Sequence, residues 1–288
     1  MENINVSLEA TCDLSKEIIK NYDLKVFDMD FMIDSEIFST KNDDVVSTNL
    51  YSKMKEGKKT STSQINEDLY TTYFKELLKE NKPIIHLALS SGLSNTYLSA
   101  LKAAEIINKT SEYKIYVIDS LCACAGQGFL GILTKEFSKT AKSLEEILTY
   151  VNETKLKMNH IFTVDNLKYL ANGGRLKSST AFIGNILNIK PVMKCDLNGC
   201  LVPYSKVISR KKALCAIVDK MADNYDNTQT TCYLSHADCL ADAMFISDQI
   251  KNKFNINTVI TNLGPVIGCH SGPGTIALFF VGVNSKRA

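Results

Sequence analysis

The order strand, loop, helix, strand across residues 83–118 restricts the fold more than any other feature of this chain. Residues 83–89 form an apolar run too short for a helix, opened by Pro83 and closed by two serines. After a polar loop, Tyr97, Leu101, Ala104 and Ile107 recur at helical spacing, and a second apolar run follows at 114–118. Two strands joined through a helix pair in parallel, and the crossover between them is right-handed. The spacing also predicts a helix over 67–79, just ahead of this unit. Together these elements predict an α/β fold.

The same alternation continues on both sides. Residues 3–8 and 24–31 read as strands. Asp13 reads as the N-cap of a helix whose Leu14, Ile18 and Ile19 share a face. A helix is expected at 47–54, a loop at 57–64, and helices at 123–137 and 144–156. From about His160 the texture changes to a strand at 161–164, a short helix at 167–171 and a basic turn at 172–177. A hairpin (192–195 with 201–207) follows through Asp196-Leu197-Asn198-Gly199. Helices at 211–221 and 240–254 then alternate with strands at 230–235, near 258 and at 276–281. Two domains are expected, residues 1–157 and 158–288.

Composition excludes several functions. Thirty-three Lys and Arg nearly balance 31 Asp and Glu in 288 residues, which gives no general affinity for nucleic acid or a membrane surface. No apolar run reaches the ~20 residues of a membrane span, and no basic, apolar leader opens the chain, so a cytoplasmic protein is expected. Nine cysteines lack a regular framework and read as reduced, packed thiols. Cys122 with Cys124, and Cys195 with Cys200, lack partners at zinc-site spacing, so no metal site is expected.

Four constellations remain. Ser90-Ser91-Gly92-Leu93-Ser94-Asn95-Thr96 lies between a strand end and a helix start, where free amides and the helix dipole favour an anion. Simple N-capping by Ser94 or Asn95 accounts for it equally well, and the Gly and Lys spacing of a nucleotide loop is missing. Thr60-Ser61-Thr62-Ser63-Gln64 carries four hydroxyls in a row; alone, it reads as a solvated loop. Arg175, after Gly173 and Gly174, is placed for bidentate recognition of a phosphate or carboxylate, whereas Lys211-Lys212 reads as a solvated face. His270 sits in the Gly- and Pro-rich stretch Gly264-Pro265-Val266-Ile267-Gly268-Cys269-His270-Ser271-Gly272-Pro273-Gly274, read as a loop that holds an imidazole. By contrast, His86 reads as a core imidazole, His160 as a strand edge and His236 as a local cap with Asp238.

Taken in order, these pieces resemble the DegV family of bacterial fatty-acid-binding proteins. The match rests on Glu9-Ala10-Thr11-Cys12-Asp13-Leu14, Thr62-Ser63-Gln64, Ser90 to Tyr97, Val117-Ile118-Asp119-Ser120, Gly173-Gly174-Arg175-Leu176, the segment 184–191, Arg210-Lys211-Lys212-Ala213, His236-Ala237-Asp238 and the His270 stretch. The resemblance implies a DegV-like α/β fold of two domains, the first a parallel-sheet α/β/α layer and the second an α/β domain with a mixed sheet. It also implies a tunnel between them for one long-chain fatty acid such as palmitate. Head-group contacts would fall on Thr62, Ser63, Ser91, Ser94 and His270. Some members present the carboxylate to a separate ATP-dependent fatty-acid kinase; Arg175 and Arg210 would then face the kinase or the nascent phosphate. The implied role is non-catalytic, with no cofactor and the fatty acid as ligand.

Three departures stand out: Glu9-Ala10 where the family has Asp-Ser, Ile65 in place of a proline, and Ile208 where some members carry Arg. Tail burial at ~0.8 kcal/mol per methylene offers roughly 11 kcal/mol for a 16-carbon chain before ordering costs. The apolar run 181–187 and Phe279-Phe280 are candidates for the lining, with core packing as the competing role. A different reading is a hydrolase of lipid esters or acyl phosphates, with His270 as base and Ser91 or Ser94 as nucleophile. A third is a lipid-sensing regulatory module.

Overall fold

The computed structural model describes residues 4–41, 45–176 and 189–284. Along the chain, β1 (Asn5–Glu9) leads through a short 3-10 turn to α1 (Lys16–Asn21) and β2 (Leu24–Phe27). A hairpin of β3 (Asp30–Ile33) and β4 (Glu36–Ser39) precedes α2 (Val45–Lys55) and β5 (Thr60–Thr62). Then come α3 (Glu67–Leu78), β6 (Ile84–Ala88), α4 (Thr96–Asn108), β7 (Ile115–Asp119), α5 (Cys124–Ser138) and α6 (Leu144–Lys157). The second half runs β8 (Met158–Thr163), α7 (Lys168–Asn172), β9 (Ile189–Cys195), β10 (Leu201–Ile208) and α8 (Arg210–Met221). It closes with β11 (Thr231–His236), α9 (Leu240–Phe254), β12 (Asn257–Asn262), α10 (Pro265–Ser271) and β13 (Ile276–Val281).

The first sheet, in the order β2-β1-β6-β7, is parallel throughout. Every residue of β1 and β6 is buried, as a sheet covered on both faces requires. Helices α3 and α4 pack their aromatic and alanine faces (Tyr70, Phe74, Ala100, Ala104) on one side. The second sheet, β10-β9-β8-β13-β11-β12, is mixed: only β11 and β12 run parallel. Strand β13 shows how it is filled. Ile276, Leu278 and Phe280 point to a core shared with α8 and α9, while Ala277, Phe279 and Val281 point to the other core, towards the first sheet. Phe280 is therefore core packing, whereas Phe279 also faces a cavity.

Helix α5 touches both sheets, lying against β1 on one side and β8, β11 and β13 on the other. Gly126 permits that approach: a Cβ there would lie 2.5 Å from His160 Nε2 and 2.7 Å from Phe279. Most of this helix is buried, so both halves of the chain share one core.

Several local expectations change. Residues 24–31 are not one strand: Asp28 and Met29 break it, and Phe31 crosses to a separate small sheet, β4-β3-β5. Asp13 does not cap α1. Ser15 does, its hydroxyl accepting from the Ile18 amide at 3.2 Å, while Asp13 has a left-handed backbone (φ 48°) and a buried carboxyl. Burial pushes the Asp13 carboxyl well above the usual carboxylate range. His160 sits on β8, an interior strand between β13 and β9, and is buried rather than at an edge. His236 accepts from the Cys239 amide at 3.4 Å, and Asp238 pairs instead with Lys55 at 2.5 Å. The run 181–187 and Lys177 lie outside the described residues. None of the nine cysteines, all of them among the described residues, forms a disulfide. Among the described residues no helix is long and apolar enough to cross a membrane.

Candidate functional site

Thr60-Ser61-Thr62 is a strand rather than a solvated loop. It pairs antiparallel with β3, Thr62 opposite Phe31, so the small sheet fixes the Thr62 side chain. The His270 stretch is likewise helical. Pro265 starts α10 at its first position, and Gly272 stops it with φ 80°. Helix α10 packs on β5, α2 and α7, and this brings Thr62 and His270 together across 208 residues of chain. Thr62 Oγ1 and His270 Nε2 are 2.8 Å apart.

On the other edge of the ring, Arg175 Nη1 lies 3.5 Å from His270 Nδ1. The guanidinium is held by Nε donating to the Leu93 carbonyl at 3.1 Å and by Nη1 donating to the Gly173 carbonyl. Gly173 is required where it stands, since a Cβ there would lie 2.6 Å from His270 Nδ1. Because an arginine only donates, Nδ1 is the acceptor and the proton of a neutral ring sits on Nε2. Nε2–H then donates to Thr62, whose own hydroxyl proton is left for a ligand. Burial, and then the Arg175 charge, push the imidazole down to about 4, so the ring is neutral at pH 7.

These groups stand at one part of a cavity of about 380 Å³ between the two sheets, within the range of small-ligand sites. Its apolar wall includes Leu89, Phe162, Leu170, Val266, Ala277 and Phe279. Thr62, Ser63, Ser91, Ser94, Arg175 and His270 line it as well. Ser94 also serves its own helix: its hydroxyl accepts from the Thr96 amide at 3.2 Å and bonds the Thr96 hydroxyl at 2.8 Å. Ser91 is exposed, and its amide donates to Asp119 at 3.1 Å. Arg210 does not line this cavity. It begins α8 and pairs with Asp242, Nη2 at 2.8 Å and Nε at 2.9 Å.

Sequence reasoning missed two contributors. His160 lines the cavity and accepts from the Ala123 amide at 3.3 Å. Glu9, seen only as a departure from a pattern, is the centre of a buried network. It accepts from Tyr70 Oη (2.6 Å), Gln127 Nε2 (2.6 Å) and the Leu89 amide (3.0 Å), with His86 Nε2 at 3.2 Å. Burial alone would raise its pKa; the His86 interaction and the hydrogen bonds outweigh this and hold it below its usual value. The bond to Leu89 fixes the strand end from which the Ser90–Thr96 loop departs. His86, as expected, is a satisfied core imidazole, also 3.0 Å from Ser7 Oγ.

Among the described residues no three metal-ligating side chains cluster. Nor does a carboxylate contact His270; the partner of its second nitrogen is a cation.

A family model described as "Uncharacterised protein, DegV family" matches residues 3–283. The chain is 34% identical over 286 residues to a DegV domain-containing protein of Clostridium perfringens, with 98% of each chain covered. It superposes with a TM-score of 0.86 on a DegV lipid-binding protein of Thermotoga maritima, 25% identical, with 100% of both chains covered. DegV of Bacillus subtilis, a fatty-acid-binding protein, gives a TM-score of 0.84 at 27% identity, covering 98% of this chain and 100% of that one.

Proposed function

The chain belongs to the DegV family, and on that premise we propose that it is a non-catalytic carrier of one long-chain fatty acid such as palmitate. The tail fills the cavity between the two domains, residues 1–157 and 158–288. The carboxylate is held by Thr62 and Ser94, with Ser63, Ser91 and His270 around it, and is presented in the cytoplasm to an ATP-dependent fatty-acid kinase through the face that carries Arg175. Arg210, part-exposed and tied to Asp242, belongs to the partner-facing surface in this reading. One observation carries the proposal: the Thr62–His270–Arg175 chain of contacts opens onto a largely apolar cavity. A buried carboxylate needs such donors, because without partners it would cost several kcal/mol.

Hydrolysis has weaker support. A serine hydrolase needs the base's second nitrogen held by an acceptor, whereas that of His270 faces a guanidinium, and the hydroxyl on the ring is a threonine's. Native mass spectrometry of the purified protein tests the proposal. A co-purified acid of about 14 to 18 carbons is expected, a length whose tail burial outweighs ordering costs. A ligand-free mass that persists after adding palmitate would overturn it.

A further inference from the structure

The hydroxyl of Ser271 is buried, has no hydrogen-bond partner among the described residues, and belongs to a residue of the cavity wall. No other described side chain in that state lines this cavity. Ser271 ends α10, where a helical serine can return its hydroxyl to the carbonyl four residues earlier; here it does not. A buried hydroxyl left unpaired costs free energy, and native structures rarely carry one without a use for it.

Its position says which part of a ligand it meets. Val266, Ile267, His270 and Ser271 recur at helical spacing and all line the cavity, so they form one face of α10. His270 stands at the polar mouth with Thr62. Thr275, Ala277 and Phe279 line the cavity beyond it. Thr275 is tied to the end of α10, its Oγ1 donating to the carbonyls of Ser271 (2.9 Å) and Gly272 (2.8 Å). Ser271 therefore lies between the carboxylate position and the row of residues along which the proposed tail runs. Adjacent Cα atoms are about 3.8 Å apart, so a hydroxyl one residue past His270 faces roughly the first three carbons of an acid. A serine hydroxyl turns about a single bond, so it can meet a ligand group there without moving the helix. Palmitate offers only C–H groups at that point. A hydroxyl on the third carbon accepts the Ser271 proton and donates in turn to Thr275 Oγ1, whose own proton is already committed to the helix end. We infer that Ser271 is a specificity-determining residue, and that the cavity favours long-chain acids hydroxylated on the third carbon. The inference rests on the fatty-acid reading and names the substrate class within it.

Competition against a fluorescent fatty acid tests this, with palmitate, 3-hydroxyhexadecanoate and 16-hydroxyhexadecanoate on the wild type and on Ser271→Ala. The wild type should bind the 3-hydroxy acid at least as tightly as palmitate. In the variant the 3-hydroxy acid should lose about tenfold or more, its buried hydroxyl deprived of a partner, while palmitate stays within about twofold. Retained palmitate affinity also reports that the variant is folded, and a merely structural role for Ser271 would move both acids together. The 16-hydroxy isomer carries its hydroxyl at the far end of the tail and should be indifferent to the substitution. Three outcomes would overturn the inference: wild type that binds the 3-hydroxy acid more weakly than palmitate, a ratio of the two unchanged in the variant, or an equal loss for the 16-hydroxy isomer. A wild type that binds none of the three acids would instead defeat the fatty-acid reading on which the inference stands.

Discussion

His270 shows how a single side chain acquires its state from its neighbours. Burial and the adjacent Arg175 charge both oppose protonation, and their joint effect sets the imidazole near 4 instead of 6.5. In the unfolded chain the same group takes up a proton as pH falls through its ordinary value, while the folded chain resists. Between those two values the unfolded state binds more protons, so this contribution to stability is present above pH 6.5 and is lost as pH falls towards 4. Urea unfolding at pH 7 and pH 5 measures it, with His270→Gln as the reference that removes other acid effects. The wild type should lose about 2 kcal/mol more than the variant over that interval. Equal losses would mean that the ring is not held neutral by the fold.

At the scale of elements, the long periodic segments were legible and the short ones were not. Helix α9 lies where apolar spacing put it, since fifteen residues of pattern outweigh local accidents. Strand β5 has three residues, too few for a period, and its identity comes from pairing with β3. Helix α10 hid differently. In a Gly- and Pro-rich stretch Pro265 and Gly272 read as loop residues, but Pro at a first helical position and Gly just past the last are the marks of a short helix. The α7 turn is the element on which the site depends most, because Gly173 packs directly on the His270 ring. Gly173→Ala would push a methyl to 2.6 Å from Nδ1 and 3.2 Å from the Tyr169 carbonyl, neither of which can withdraw without moving a helix. Fatty-acid affinity should fall about tenfold, the loss of one well-placed donor, while circular dichroism stays unchanged. Undiminished affinity would show that His270 does not orient the carboxylate.

For the whole molecule, what the sequence alone could not supply is distance. Thr62 and His270 stand 208 positions apart, and nothing local to either says that they meet. Family resemblance put them in one site, and the packing of α10 on the small sheet gives the physical reason. The cavity too is assembled from distant segments: β13 places a small residue, Ala277, between Phe162 on β8 and Ser235 on β11. Ala277 is buried, lines the cavity and shares its face of the strand with Phe279, so under the proposed function its size sets how far a tail can extend beside that ring. Ala277→Phe fills existing space instead of opening any, and overpacking costs stability only where no void receives the new side chain. The ligand-free variant should therefore unfold at a temperature close to that of the wild type. The occupied volume comes out of the tail's share, so palmitate affinity should fall at least about tenfold, which is the burial of roughly two methylenes. An acid of about 10 carbons, with fewer methylenes to bury, should keep its affinity within about threefold. Competition against a fluorescent fatty acid reads both. If the two acids weaken in parallel, the substitution has disturbed the polar mouth; if palmitate is unaffected, the hydrocarbon runs along another wall of the molecule.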